Sequence, residues 1–250
     1  MTEDKAIVVK DLCKEFVLSH SGANSLKTRM LWFRHRDMEQ LKVLRGISFE
    51  VGHGECVAVI GRNGAGKSTM LGLLARVFKP TSGEIIVNGR LAPLLELGAG
   101  FHPDLTGLEN IFFNGVILGL TRKQIAGRLD QIIEFAEMRA HIDSPVRTYS
   151  SGMLARLGFA VAVHVDADIL LVDEVLAVGD LEFERKCFET IEEFKKNGGT
   201  IFFVSHNMRS VKRVADRCIW VRNGVIEEEG DPDTVISHYQ EASAGPQSAL

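Results

Sequence analysis

At 250 residues, 45% hydrophobic and 25% charged, the chain carries enough apolar material for one or two packed soluble domains. Its net charge of −4 argues against an extended nucleic-acid surface, which needs an excess of Lys and Arg. Four cysteines (Cys13, Cys56, Cys187, Cys218) stand far apart without a CxxC pair, as core thiols in a reducing cytoplasm would; no apolar stretch resembles a signal peptide or approaches the roughly 18 residues that span a bilayer.

In chain order, Ala6-Ile7-Val8-Val9 reads as a first strand, and Leu12 to Leu18 as a second strand or turn. Residues 19–40 break the pattern. They are polar and Gly/Ser-bearing at first, then Leu26, Met30 and Phe33 share one helical face with Lys27 and Arg34 off it. A basic amphipathic segment of this kind suits a headgroup surface or a membrane partner, and equally a solvated hairpin packed on its own domain. Val43 to Val51 alternates as a strand, and Gly52-His53-Gly54 turns into the apolar run Cys56 to Ile60.

That run delivers Gly61-Arg62-Asn63-Gly64-Ala65-Gly66-Lys67-Ser68-Thr69, a GxxxxGK[ST] loop, followed by helix-compatible residues Met70 to Phe78. Its glycines let backbone N–H groups curl around a polyphosphate, and the following helix aims its positive end at the same oxygens. Lys67 supplies a point charge to the outer phosphates, and the Ser68 hydroxyl can ligate Mg2+. Further on, Glu84 to Gly89 reads as a strand with its exit, and residues 91–105 are too Gly- and Pro-punctuated for one long element. From Thr106 to about Ala140 the pattern is helical, with capping boxes at Thr106/Glu109 and Thr121/Gln124. Tyr149-Ser150-Ser151-Gly152-Met153 then opens a helix over Leu154 to His164, with serines at its cap.

Ile169 to Glu174 is the second strong signal: four apolar residues ending in two carboxylates, as if a buried strand delivered acids to the ligand edge of a parallel sheet. There Asp173 is suited to hold Mg2+ near Ser68, and Glu174 to act as general base toward an attacking water. Thr200 to His206 repeats the design and ends in a histidine. Ile219 to Glu227 reads as a hairpin around Arg222-Asn223-Gly224, Asp231 to Tyr239 as a closing helix, and the last residues as a mobile tail.

Glycine loop, Ser-Gly helix start, ILLVDE and VSH, in that order, resemble the ATP-binding subunit of an ABC transporter over essentially the whole chain. The resemblance implies an α/β P-loop NTPase fold of the ABC nucleotide-binding type, with an antiparallel β subdomain and an inserted helical subdomain. Residues 1–240 would form that domain, with the helical part at about 93–164, the insertion at about 19–40, and 241–250 a flexible tail or the start of a linker. Carried over by position, Gly61 to Thr69 is Walker A for ATP, and Asp173 closes Walker B for Mg2+. Glu174 is the catalytic glutamate, His206 the switch histidine at the outermost phosphate, Val178-Gly179-Asp180 the D-loop, and Phe16 the adenine-stacking aromatic.

Two positions depart from the family pattern. The LSGGQ signature is Tyr149 to Met153 here, keeping a serine and the second glycine, so that Ser150, Ser151 and Gly152 can still face a phosphate. Glu96 stands where the glutamine loop has glutamine; a carboxylate remains an oxygen ligand for Mg2+ but adds charge. The stretch from Leu94 to Ile111, with the YSSGM start and Ala177 to Asp180, is similar to polysaccharide exporters of the O-antigen (Wzt-like) type, whose relatives export teichoic acid or capsule. The implied partners are a second copy packed head to tail, integral membrane permease subunits and, indirectly, a lipid-linked polysaccharide, with no nucleic acid. The implied place is the cytoplasmic face of the inner membrane, held through the permease, with the segment from Glu96 to Asn110 and the 19–40 insertion as contacts. A chromosome- or repair-type ATPase would need a coiled coil between Ser68 and Ser150, and no heptads run there. A translation-factor ATPase would need two cassettes.

Overall fold

The structure, a computed structural model, describes residues 5–19, 38–95, 98, 100–173 and 180–244. The amphipathic segment from Leu26 to Arg36, Glu96, Glu174, Val178, Gly179 and residues 245–250 of the expected tail lie outside them.

Among the described residues the strands form two sheets. In the smaller, antiparallel one, β1 (Lys5–Ser19) lies between β2 (Met38–Gly52) and β4 (Ser82–Val87). The two short elements expected over residues 6–18 are therefore one strand. What interrupts its pattern is a bulge: Asp11 takes φ 46°, its N–H donates to Ser48 Oγ at 2.8 Å, and the register with β2 shifts between Val9 and Leu12. A bulge bends a strand without ending it.

The larger sheet runs, in space, β5 (Leu91–Leu94), β6 (Ile169–Asp173), β7 (Thr200–Val204), β3 (Cys56–Ile60), β8 (Arg217–Arg222) and β9 (Val225–Gly230), with only the last pair antiparallel. Every residue of β3 and β7 is buried, which is why these strands read as continuous apolar runs rather than alternations. β5 forms inside the punctuated 91–105 stretch. As an edge strand it tolerates Pro93, whose missing N–H would break a ladder in the interior.

Helix α1 (Lys67–Leu74) starts directly on the glycine loop and stops before the expected Phe78. Arg76 turns left-handed at φ 60°, and the N–H groups of Val77 and Phe78 fold back onto the Gly72 carbonyl. Between β5 and β6 come α2 (Gly107–Ile117), α3 (Arg122–Ala136) and α4 (Ser151–Val163), which share an apolar core of their own. Both expected capping boxes are formed, and Ser150 caps α4 by accepting from Met153 N–H at 3.2 Å. Helices α5 (Leu181–Lys196), α6 (Met208–Val214) and α7 (Pro232–Ala244) cover the large sheet with α4. The closing helix thus runs on through Ala244, into residues expected to form the tail.

A second core joins the two sheets around α1, where Phe49 of β2 stacks on Phe202 of β7 with centroids 5.3 Å apart. The four cysteines are free thiols, and burial pushes Cys56, Cys187 and Cys218 up to about 12, which makes them inert packing groups. No helix among the described residues is long and apolar enough to cross a membrane.

Candidate functional site

The chain leaves β3 into a space with no room for side chains. Gly61 takes φ 150°, and a Cβ there would run into the Val221 carbonyl oxygen on β8. Gly66, at φ 105°, is the N-cap of α1, and a Cβ on it would meet Leu44 of β2 at 2.6 Å. These glycines allow the loop to wrap tightly between the two sheets and hand its N–H groups to one point. Lys67 is buried within that wrap, its Nζ donating to the carbonyls of Gly61 at 2.8 Å and Arg62 at 3.1 Å. No side chain caps α1, so its first N–H groups complete a cationic cradle suited to a polyphosphate.

Parallel pairing brings the other groups to the same edge. Asp173 is opposite Val204, and Val59 is opposite Val204 from the other side. The ends of β3, β6 and β7, with Gly61, Asp173, Ser205 and His206, therefore lie together at the carboxyl edge, where parallel sheets bind ligands. His206 is exposed just past the strand, and Asn207, whose N–H donates to Ser205 Oγ at 3.0 Å, caps α6 behind it. Ser68 is exposed, Asp173 half-buried, and both line one cleft of about 650 Å³. Among the described residues no trio of His, Cys, Asp and Glu could hold a metal alone. One hydroxyl and one carboxylate fit Mg2+, which fills its octahedron with phosphate oxygens and water.

Phe16 lines the same cleft. Its ring packs edge-on against Phe78 with centroids 5.5 Å apart, and Lys14 Nζ sits 4.8 Å from its centre. The opposite wall comes from the helical region, with Phe101, Asn114, Gly158 and Ala162. Glu174 and Glu96, expected as base and metal ligand, lie outside the described residues. Ser150, Ser151 and Gly152 are not among the residues lining the cleft; they stand at the start of α4.

That helix start is firmly held. Tyr149, just ahead of the cap, donates its hydroxyl to the His141 carbonyl at 2.6 Å. A little upstream, Val146 N–H bonds Leu105 O, Arg147 N–H bonds Pro103 O, each at 2.9 Å, and the Arg147 guanidinium pairs with Asp104 at 2.6 Å. The fully buried Asn110 orders residues 102–106: its Oδ1 accepts from His102 N–H, and its Nδ2 donates to the carbonyls of His102, Leu105 and Thr106. Sequence reading passed over two features here. The Asp180-capped helix α5 had a legible signal in its cap and its Phe183, Cys187, Phe188, Ile191 face. Arg156 had none, because a lone arginine on a helix names no partner.

Residues 44–177 match the protein family described as ABC transporter. Over 246 residues the chain is 50% identical to the O-antigen export system ATP-binding protein RfbB of Klebsiella pneumoniae, covering 96% of this chain and 100% of that protein. A Myxococcus xanthus protein of the same name is 46% identical over 95% of this chain and 56% of its own length. The teichoic acids export ATP-binding protein TagH of Bacillus anthracis is 43% identical over 91% of this chain and 41% of its own. Among solved structures, an ATP-binding subunit of an ABC transporter superposes with TM-score 0.75 at 23% identity, over 94% of this chain and 93% of that one. The dimeric post-hydrolysis state of the ATP-binding cassette MJ0796 bound to ADP and Pi gives 0.73 at 19%, over 90% and 98%.

Proposed function

This chain belongs to the ABC transporter family as an ATP-binding, ATP-hydrolysing subunit, and from that premise we propose that it drives an O-antigen-like polysaccharide outward through separate permease subunits. The observation that carries the cargo is the 50% identity to RfbB across the whole of that relative. Teichoic acid is the second reading, favoured by a lower identity over 41% of TagH.

In this reading two copies pack head to tail, each nucleotide lying between the glycine loop of one and the Ser150-Ser151-Gly152 helix start of the other. Lys67 exchanges the Gly61 and Arg62 carbonyls for the outer phosphates, and the N–H groups from Gly61 to Thr69 orient the rest. Ser68 and Asp173 would hold Mg2+, with Glu96 as a further oxygen donor, and the ion would supply neutralisation of charge on the phosphate oxygens. Glu174 accepts the proton of the attacking water, and His206 contacts the γ-phosphate from the end of β7. Phe16 offers its ring to adenine once Lys14 moves aside.

The permease would dock on the helical region, holding the chain at the cytoplasmic face of the membrane. Support comes from α2, where Phe113, Val116 and Ile117 are 46%, 51% and 62% exposed on one stripe. The deciding experiment is to express Glu174→Gln in the source cell and measure lipid-linked glycan on the cytoplasmic side of the inner membrane. Long polymer accumulating there, with less at the surface, is the expected result, and its sugars identify the cargo. Unchanged glycan would discard the polysaccharide and leave the ATPase.

A further inference from the structure

The Phe16 ring stands on a stretch of β1 that is supported by a strand on one side only. β4 pairs with β1 as far as Ser82 opposite Cys13, while β2 continues past Phe16 and pairs it with Leu41. On the open side the chain entering β4 takes over. Thr81 N–H donates to the Cys13 carbonyl and Glu15 N–H to Thr81 Oγ1, each at 2.9 Å. Three residues before Thr81 comes Phe78, whose ring meets that of Phe16 at 86° with centroids 5.5 Å apart. Among the described residues no other aromatic ring packs against Phe16. Lys14 Nζ lies 4.8 Å from the centre of the Phe16 ring and 5.9 Å from that of Phe78, and donates to Lys79 O at 2.9 Å.

Phe78 is placed in turn by the helix of the glycine loop. The left-handed Arg76 turns the chain back after α1, and the N–H groups of Val77 and Phe78 bond the Gly72 carbonyl at 2.8 and 3.1 Å. The ring then presses on Gly72 so closely that a Cβ there would stand 2.7 Å from it. Glycine is a poor residue for a helix interior, and at this position its missing side chain makes a seat for the ring. Phe78 is still 38% exposed, and it lines the same cleft as Phe16, Ser68 and Thr69. A ring that stacks on a base has to hold its plane, and a perpendicular neighbour favours one setting of it. When Lys14 moves aside for the base, Phe78 is the contact that stays.

We propose that Phe78 is a positioning residue for nucleotide binding. Seated on Gly72, it holds the Phe16 ring in the plane on which the base stacks, and so ties base recognition to the helix that carries the phosphate loop. This inference rests on the reading of Phe16 as the ring that meets adenine.

The test compares two probes on the full chain by equilibrium titration: MgATP, and magnesium tripolyphosphate, which has the phosphates without the base. Phe78→Ala should weaken MgATP by about 2- to 10-fold, the factor an edge-to-face pair is worth, and leave tripolyphosphate unchanged. In steady-state hydrolysis the same variant should raise KM and keep kcat, as the loss of uniform binding does. Phe78→Tyr keeps the ring and should restore the parental affinity. Gly72→Ala should reproduce the loss with every ring still present, because its methyl group unseats Phe78. In a Phe16→Ala background, Phe78→Ala should cost nothing further, since it acts through the ring already removed. Equal weakening of both probes in Phe78→Ala would overturn the proposal by reducing Phe78 to a prop of the glycine loop. So would a full Phe78→Ala effect in the absence of the Phe16 ring. A Phe16→Ala chain that keeps the parental preference for MgATP over tripolyphosphate would instead remove the base reading of Phe16, and the proposal with it.

Discussion

Single residues decide whether the glycine loop can exist. At Gly61 a methyl group has nowhere to go, because the obstacle is the Val221 backbone carbonyl of a central strand, whereas Gly64 (φ 79°) has open space around it. Both are left-handed, so each alanine costs about 1–3 kcal/mol of strain, but only Gly61→Ala adds a collision. Gly61→Ala should therefore lose nucleotide binding and at least about 2 °C in Tm more than Gly64→Ala, by calorimetry and equilibrium titration. His164 works through charge. Burial first, with Arg128 and Lys186 assisting against the Ala160 carbonyl bond at 2.7 Å, lowers its pKa below the usual 6.5. The folded state thus binds this proton less readily than the unfolded one. The stabilisation is complete above pH 6.5 and is lost as pH falls from there through the folded value. Melting at pH 5–8 should show a shallower acid-side decline in His164→Asn than in the parent; identical slopes would clear His164 of any part in it.

At the scale of elements, most of the fold follows from local rules. Thr106/Glu109 and Thr121/Gln124 announce α2 and α3 through capping geometry that needs no neighbour, and Ser150 announces α4 likewise. The Asp11 bulge does not announce itself, because a bulge and a break look alike until a partner strand supplies the register. Nor does the outward stripe of α2: its inner face, with Asn110, Ile111 and Gly115 buried, accounts for the helix, and Phe113, Val116 and Ile117 are surplus to the fold. On the permease reading proposed above, this surplus apolar surface is the docking face. Phe113→Asp with Ile117→Asp should keep the parental Tm, since exposed substitutions cost within about 0.5 kcal/mol, yet abolish copurification of the permease. Retained copurification would move the docking face elsewhere.

Over the whole molecule, Ser150, Ser151 and Gly152 are not among the residues that line the cleft shared by Ser68, Asp173 and Phe16. Under the head-to-tail reading proposed above, a complete site requires two chains. Mixing a Lys67→Ala chain with a Ser150→Phe chain should restore ATP hydrolysis that neither shows alone, because one composite site of the mixed dimer is intact. Failure to complement, with both variants folded and able to pair, would place the signature in cis.

The sequence by itself determined the chemistry. The GxxxxGKST loop, the carboxylates after an apolar strand and the histidine after another are local patterns, each specified by backbone geometry or strand burial within about ten residues. It also determined the strands and caps that present them, since amphipathic period and cap chemistry are short-range. Only the tertiary structure decided which strand ends meet. The order β5, β6, β7, β3, β8 puts Asp173 and His206 beside a loop more than a hundred residues earlier in the chain. The same packing chose Glu137 and Asp180 for Arg156, since a charge reveals its partners only when helices distant in sequence are packed side by side.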